Sequence, residues 1–133
     1  MAKEIIYVGD PMCSWCWGFS PVLKQIQQDY RKDAPLRLIV GGLHAFDTDP
    51  MNDQYKATIK HHWEQVAEAS GQPFNYAFFE REGFVLDTEP ACRATVVVRN
   101  MNPDVLLPFY ERIHMGYYVE DTDTTKLETF VDY

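Results

Sequence analysis

The sequence predicts an α/β fold in which a strand–helix–strand unit comes first and a run of helices follows. Two short apolar segments, residues 4–9 and 36–40, have the length and composition of buried strands. The segment between them begins at Cys13 and has apolar residues at helical spacing. A connection of this length joins parallel strands, so we expect two paired parallel strands with a right-handed crossover.

The remainder of the chain carries the signals of helix starts and helix ends. Asp49 and Pro50 suit a helix start, because Asp is a favoured N-cap and Pro a favoured first helical residue. Gly71 suits the end of the same helix, since glycine readily adopts the left-handed conformation found there. We expect helical segments at residues 49–70, 74–81, 88–101 and 102–118, and the beginning of a final amphipathic segment at residues 126–133.

The composition is that of a globular protein and narrows the choice of partners. The chain has 133 residues, 46% of them apolar, and a formal net charge of −8 with a pI near 4.8. This acidic balance argues against a nucleic-acid surface and against binding to anionic membranes. The N-terminal apolar run is too short for a signal peptide, and no segment is long enough to span a membrane. We therefore expect a cytoplasmic protein without nucleic-acid or membrane partners; its oligomeric state does not follow from the sequence.

A pair of cysteines separated by two residues is the main chemical feature of the chain. The segment Cys13-Ser14-Trp15-Cys16 lies between the first strand and the first helix. Two thiols at this spacing can cycle between dithiol and disulfide, and three cysteines are too few for a disulfide scaffold. Free N–H groups and the helix dipole should lower the pKa of Cys13 below its usual value. We expect Cys13 to attack a substrate disulfide and Cys16, one turn deeper, to resolve the mixed disulfide.

The residues around the two cysteines are candidates for substrate binding. Ser14 and Trp15 should influence the stability of the thiolate and hence the redox potential of the pair. Trp15 and Trp17 flank Cys16 with large apolar rings, which suit an unfolded peptide or a bulky thiol; packing against the helix explains both rings equally well. Asp10 could influence proton transfer, although a turn-forming Asp before a proline is the simpler interpretation.

Half of a zinc site is the alternative explanation of the cysteine pair, and it requires two further ligands. Cys92 is more simply a small buried apolar residue, and His44 most simply is a loop residue without a role. No two of the remaining candidates are spaced as a second ligand pair, because adjacent histidines on a helix diverge by about 100°. We therefore expect no metal; the further ligands considered are Cys92, His44, His61, His62 and His114.

Two segments of the chain resemble a known family. Residues 5–19, which include the cysteine pair, resemble the active-site segment of DsbA-like proteins of the thioredoxin superfamily. Within that group they are most similar to the bacterial predicted protein-disulfide isomerases, near the FrnE-type oxidoreductases and the 2-hydroxychromene-2-carboxylate isomerases. Residues 84–94 are similar to a helical segment of the same branch.

The resemblance implies a thioredoxin-like fold with an inserted helical domain. Residues 1–44 would form the first βαβ half with the CxxC site, and residues 45–133 would form the inserted helical domain. The second half of such a fold carries further strands and a cis-proline that faces the cysteine pair. Pro103 and Pro108 lie in helical contexts and are poor candidates for this proline, so we expect a domain truncated at its C-terminus.

The functional hypothesis is a thiol–disulfide oxidoreductase or isomerase that acts on protein or small-molecule thiols and disulfides. The cysteine pair itself implies no cofactor, and glutathione enters only as a thiol partner. One alternative is a glutathione-dependent isomerase or transferase of the 2-hydroxychromene-2-carboxylate type, in which a serine commonly takes the first active position; this chain has both Cys13 and Cys16. The other alternative is a non-catalytic binding module on a thioredoxin-like scaffold.

Overall fold

A computed structural model describes residues 3–133 and shows the predicted strand–helix–strand unit followed by helices. The predicted α/β fold class is therefore confirmed. Within the described residues, three short 3-10 helices lie between or after the longer elements, at Tyr76–Glu80, Pro103–Val105 and Leu127–Asp132. The strands and α-helices are β1 (Ile5–Gly9), α1 (Ser14–Tyr30), β2 (Leu36–Val40), α2 (Asp53–Ser70), α3 (Glu89–Met101) and α4 (Leu106–Tyr118).

The two strands form a parallel pair, as the length of their helical connection predicts. Ile5 lies opposite Leu36 and Gly9 lies opposite Val40, so the strands run in register from end to end. Apart from an isolated bridge between Pro50 and Val85, these are the strands found over residues 3–133. The carboxyl end of β1 leads directly into the turn before α1, which places the cysteine pair next to the carboxyl ends of the two strands.

The start of α2 differs from the sequence-based prediction, because Asp49 is not its N-cap. The N-cap is Asn52, whose side-chain oxygen accepts a hydrogen bond from the Tyr55 N–H at 2.7 Å. The preceding residues are extended instead, since Met51 N–H donates to the Phe84 carbonyl at 2.9 Å. The predicted end is confirmed: Gly71 is the C-cap, with a φ of 74° that favours glycine.

Two predicted helical segments begin as tight 3-10 turns for the same local reason. The side chain of Asn75 accepts a hydrogen bond from Ala77 N–H, and that of Asn102 accepts one from Asp104 N–H. Such bonds from an Asn to the backbone two residues on favour turns over regular α-helix. The segment after Asn102 then continues as α4, as predicted, whereas residues 74–81 contribute only a short 3-10 helix.

Two apolar cores hold these elements together. The larger core is built around Trp63 on α2, which is 1% exposed and has six aromatic side chains with ring centroids within 6.2 Å. The smaller core joins Leu23 of α1 and Leu38 of β2 to Tyr110 and neighbouring leucines of α4. Both cores include side chains from either side of residue 44, and the division into two domains at that point remains a prediction. Over residues 3–133, no helix has the length and apolar character needed to cross a membrane.

The packing of α1 on α2 gives a testable prediction at Gly18. A methyl group there would lie 2.6 Å from Cγ1 of Val66, which is fully buried. We expect Gly18→Ala to lower the free energy of unfolding by about 1–3 kcal/mol through overpacking, against a helix-propensity gain of about 1 kcal/mol. Urea denaturation measures the difference. Gln28→Ala on the exposed side of α1 is the control, and greater stability of Gly18→Ala would contradict the close approach.

Candidate active site: a dithiol at the start of the first helix

The two cysteines of the CxxC motif lie at the start of α1, as the sequence predicts. Cys13 is the N-cap residue in an extended conformation, and its carbonyl accepts the N–H of Trp17 at 3.0 Å. Cys16 lies one turn further along the same helix. Both side chains are half-buried free thiols, so both sulfurs remain open to reaction.

The turn before the helix is fixed by the buried side chain of Asp10. This carboxylate, in a residue only 3% exposed, accepts hydrogen bonds from Met12 N–H and Leu43 N–H, each at 2.8 Å. The thiol of Cys92 on α3 donates a third, at 3.3 Å. The turn-forming interpretation of Asp10 is confirmed, and the same contacts tie the turn to the loop after β2 and to α3.

The backbone carbonyl of Asp10 accepts a second set of hydrogen bonds. It accepts the N–H of Cys13 at 3.2 Å, the hydroxyl of Tyr110 at 3.3 Å and Nε2 of His114 at 3.0 Å. Because a carbonyl only accepts hydrogen bonds, Nε2 of His114 carries the proton. The turn is thereby anchored on α4, which supplies both aromatic side chains.

The negative charge of the dithiol is placed on Cys16. A hydrogen bond from the Cys13 thiol lowers the pKa of Cys16 to about 6, against the opposing effect of burial. The backbone at Asp10 and the hydroxyl of Tyr7 lower it further. A sulfur that accepts several donors stays ionised near neutral pH.

The predicted depression of the Cys13 pKa is wrong. The same sulfur–sulfur hydrogen bond raises the pKa of Cys13 well above its usual value, and burial and the charge of Cys16 add to this. Backbone N–H groups at the helix start do act on Cys13 in the expected direction, but their effect is smaller. The sequence shows the helix start, whereas the contact that decides which sulfur is charged is formed only in the folded structure.

The two tryptophans near the cysteines have different surroundings. Trp15 is 52% exposed and lies beside Cys16, where its ring can meet a bound molecule. Trp17 is only 2% exposed, and its indole N–H donates to the Pro73 carbonyl at 2.9 Å. The predicted role of Trp17 in substrate binding is wrong, because its ring packs in the larger core. Ser14 is half-buried at the first helical position, and its predicted role remains untested, as does that of Trp15.

Each sulfur opens onto a different part of the surface. A groove of about 610 Å³ runs past Cys16 and is lined mainly by apolar side chains, among them Trp15 and Phe19. A narrower cleft of about 330 Å³ lies beside Cys13 and is lined by residues of α2 and by His44. A shallow hollow of about 220 Å³ touches both sulfurs. The dithiol can therefore be approached by an extended chain or by a small thiol.

The other candidate residues lie apart from the dithiol or have partners of their own. Burial, followed by the effect of Asp10, raises the pKa of Cys92 to about 12, so this thiol stays protonated. His44 lines the cleft beside Cys13 and also pairs with Asp47 at 3.4 Å. His61 is exposed on α2. Among residues 3–133, no group of three or more His, Cys, Asp or Glu side chains is arranged to hold a metal ion.

Two residues near the dithiol, Tyr7 and Tyr110, could not be assigned to the site from the sequence. Tyr7 follows the in-and-out alternation of β1, which indicates burial but not a contact with the cysteine pair. Tyr110 lies about a hundred residues from the motif, and only the docking of α4 brings its hydroxyl to the Asp10 carbonyl. Tyr7 lies within the resembling segment 5–19 but has no chemical role assigned there, and Tyr110 lies outside both resembling segments.

The fold and the dithiol define a class of protein. A strand, a turn and a CxxC pair at a helix start, followed by a parallel strand, form the active-site half of a thioredoxin-like fold. The architecture matches that of solved neighbours with a DsbA-like thioredoxin fold. No family model matches the chain.

Particular relatives are disulfide-exchange proteins. The chain is similar to a candidate protein disulfide isomerase from Nitrosomonas europaea, with 38% identity and a TM-score of 0.90 over 98% of this chain and 62% of that one. It also resembles the cytosolic disulfide reductase DsbM from Pseudomonas aeruginosa solved with GSH, with 25% identity and a TM-score of 0.77 over 96% of this chain and 61% of that one.

A curated relative matches a shorter part of the chain. It is the ClpXP adapter protein SpxH of Halalkalibacterium halodurans, which is 34% identical over 76 residues, or 53% of this chain and 24% of the relative. The chain thus spans less than two thirds of the length of each of these relatives.

The charges at the dithiol predict selective alkylation. With iodoacetamide at pH 7, we expect Cys16 to react because its thiolate predominates, whereas Cys92 stays unmodified in the native protein. The rate at Cys16, followed by peptide mass spectrometry, should rise with pH through a midpoint near 6. Cys16→Ser should remove this low-pH phase. Equal labelling of Cys92 in the folded protein would contradict the assignment.

The buried imidazole of His114 predicts an acid sensitivity. Burial lowers its pKa from the usual 6.5 to about 4, so the unfolded chain binds a proton that the folded chain does not. Stability should therefore fall by about 3 kcal/mol as the pH drops from about 6.5 to about 4. Urea unfolding at several pH values measures this slope. We expect His114→Gln to flatten it and the exposed His61→Gln to retain it; equal slopes in all three proteins would refute the prediction.

Proposed function

We propose that this protein is a thiol–disulfide oxidoreductase that exchanges disulfides with protein or small-molecule thiols through Cys13 and Cys16. The observation that carries the proposal is the pair of half-buried free thiols, one turn apart, at the start of α1. The lowered pKa of Cys16 supports it. Its relatives named as a disulfide isomerase and a disulfide reductase support the same chemistry. We also propose the narrower assignment of this protein as a DsbA-like isomerase.

The reaction begins with a proton shift inside the dithiol. The proton of Cys13 passes to Cys16 along their hydrogen bond, and the Cys13 thiolate attacks one sulfur of a substrate disulfide. The substrate's other sulfur leaves as a thiolate, and Cys13 is now in a mixed disulfide. Cys16 loses its proton to the solvent or to the departing thiolate and attacks the Cys13 sulfur. The substrate is released with two reduced sulfurs, and the protein keeps the disulfide.

The reverse sequence makes the protein an oxidant. A substrate thiolate attacks Cys13 of the protein disulfide, and Cys16 departs with the electron pair of the broken bond. A thiol of low pKa leaves more easily, which favours Cys16 as the leaving group. This charge distribution therefore favours attack of a substrate thiolate on Cys13 of the disulfide.

The surroundings of the dithiol indicate what can bind. The groove beside Cys16 is apolar and holds the exposed ring of Trp15, which suits an unfolded peptide carrying a disulfide. The cleft beside Cys13 is large enough for a small thiol, and the DsbM relative was solved with GSH. We propose glutathione as a thiol partner and not as a bound cofactor. The cytosolic description of DsbM supports a cytoplasmic location for this protein as well.

The central test removes one sulfur at a time. We expect Cys13→Ser to abolish reduction of a disulfide-linked fluorescent peptide, because no mixed disulfide can form at the attacking position. Cys16→Ser should accumulate the mixed disulfide, visible by intact-protein mass spectrometry, because resolution is lost. Cys92→Ser is the matched control and should retain activity, since serine can still donate to Asp10.

Other results would favour different functions. Full activity of Cys13→Ser would refute the proposed mechanism. Glutathione-dependent turnover that survives the loss of Cys16 would favour a glutathione-dependent isomerase or transferase. A wild-type protein that exchanges no disulfide with peptide or glutathione would favour a non-catalytic binding module.

A further inference from the structure

Two side chains of α4 donate hydrogen bonds to the same backbone carbonyl in the active-site turn. The Asp10 carbonyl accepts Nε2–H of His114 at 3.0 Å and the hydroxyl of Tyr110 at 3.3 Å. The same carbonyl accepts the N–H of Cys13, the proposed attacking residue, at 3.2 Å. The two α4 side chains therefore meet the attacking cysteine at one shared oxygen, although about a hundred residues separate them from it in the chain.

The backbone of Cys13 is held on both sides. Its N–H donates to the Asp10 carbonyl, and its own carbonyl accepts the N–H of Trp17 in the first turn of α1. Cys16 lies one turn further along the same helix. A shift of the Asp10 carbonyl would therefore move Cys13 relative to Cys16, because the Cys13 N–H follows the oxygen to which it is bonded.

The imidazole of His114 and the phenol of Tyr110 have little freedom to move. His114 is fully buried, and the rings of Trp17 and Tyr118 lie beside it at centroid distances of 6.1 and 6.0 Å. Tyr110 is 1% exposed and meets the imidazole edge-on at 4.5 Å. Gly9, at the end of β1, leaves room for the Tyr110 hydroxyl, since a Cβ there would lie 2.5 Å from it. Both donors therefore have fixed positions relative to the turn.

Stability alone does not explain the histidine on α4. The second ring nitrogen of His114, Nδ1, is buried without a hydrogen-bond partner among the described residues. A buried polar atom without a partner costs free energy, so an apolar side chain would suit this position at least as well. An apolar side chain could not donate to the Asp10 carbonyl, however. The hydrogen bond to the turn is therefore what distinguishes histidine from leucine here.

We propose that Tyr110 and His114 are positioning residues that hold Cys13 where its sulfur and the sulfur of Cys16 can form a disulfide. This role rests on the proposed disulfide exchange and concerns its second step. There the Cys16 thiolate, having lost its proton to solvent, attacks the Cys13 sulfur of the mixed disulfide. A bond forms between the two cysteine sulfurs, the bond from Cys13 to the substrate breaks, and its electron pair leaves on the substrate sulfur. The two α4 side chains act through the Asp10 carbonyl and exchange no proton in this step.

The experiment measures how fast the two cysteines close their disulfide. An equimolar aryl disulfide reagent reacts with one thiol of the reduced pair and releases a coloured thiolate, and closure of the Cys13–Cys16 disulfide then releases a second one. The rate of the second release is compared in wild type, His114→Leu, His114→Gln and Tyr110→Phe. Ile113→Val is the matched control on α4, because it removes a methylene group from a fully buried side chain and no hydrogen bond.

The positioning role predicts a pattern that loss of stability alone would not produce. His114→Leu and Tyr110→Phe should each slow closure by about tenfold, since a displacement of about 1 Å can cost about a hundredfold in rate. His114→Gln should stay close to the wild-type rate, because its amide N–H can replace the imidazole donor. Ile113→Val should lower stability to urea without changing the closure rate. A merely structural role would leave the closure rate of every folded variant at the wild-type value.

The positioning role and the proposed function can fail separately. Wild-type closure rates in both His114→Leu and Tyr110→Phe would overturn the positioning role, and so would an equal slowing of Ile113→Val. Reduction of a disulfide-linked peptide is measured in parallel: a wild-type protein that closes its disulfide but reduces no peptide would overturn the proposed function alone. If His114→Leu does not fold, Tyr110→Phe decides the question, since it keeps the buried ring and removes only the hydroxyl that donates to Asp10.

Discussion

The buried carboxylate of Asp10 joins the active-site turn to the parts of the chain that surround it. Its oxygens accept hydrogen bonds from the turn, from Leu43 after β2 and from Cys92 on α3. A buried carboxylate without partners is strongly unfavourable, so these three segments must assemble together. The carbonyl of the same residue accepts hydrogen bonds from Tyr110 and His114 of α4. One residue therefore sets the position of the dithiol relative to both the sheet and the helical part of the chain.

The chemistry of the dithiol follows from this assembly more than from the helix start alone. An isolated helix start would stabilise charge on Cys13, the sulfur nearest its free N–H groups. Folding adds a hydrogen bond between the two sulfurs, and this bond favours charge on Cys16. The attacking and the charged sulfur are then different atoms. This separation lets Cys13 form the bond with substrate while Cys16 leaves with the electron pair of the broken Cys13–Cys16 bond.

The features that could be predicted from the sequence are those that short-range physics determines. The parallel strand pair, the cysteine pair at a helix start and the Gly71 helix end all depend on neighbours in the chain. The start of α2 was misplaced because the Met51 backbone bonds to a distant segment, which leaves Asn52 as the cap. The burial of Trp17 and the arrival of Tyr110 beside the motif depend on how helices pack, and no local pattern encodes that.

Gly9 illustrates how a residue without a functional group can affect the position of an active site. It ends β1, and a Cβ there would lie 2.5 Å from the Tyr110 hydroxyl and 2.7 Å from Cε1 of Tyr7. A side chain at this position would displace the hydroxyl that donates to the Asp10 carbonyl, while every residue of the CxxC motif stayed unchanged. Two chains with identical CxxC motifs can therefore differ in how firmly the turn before the motif is held.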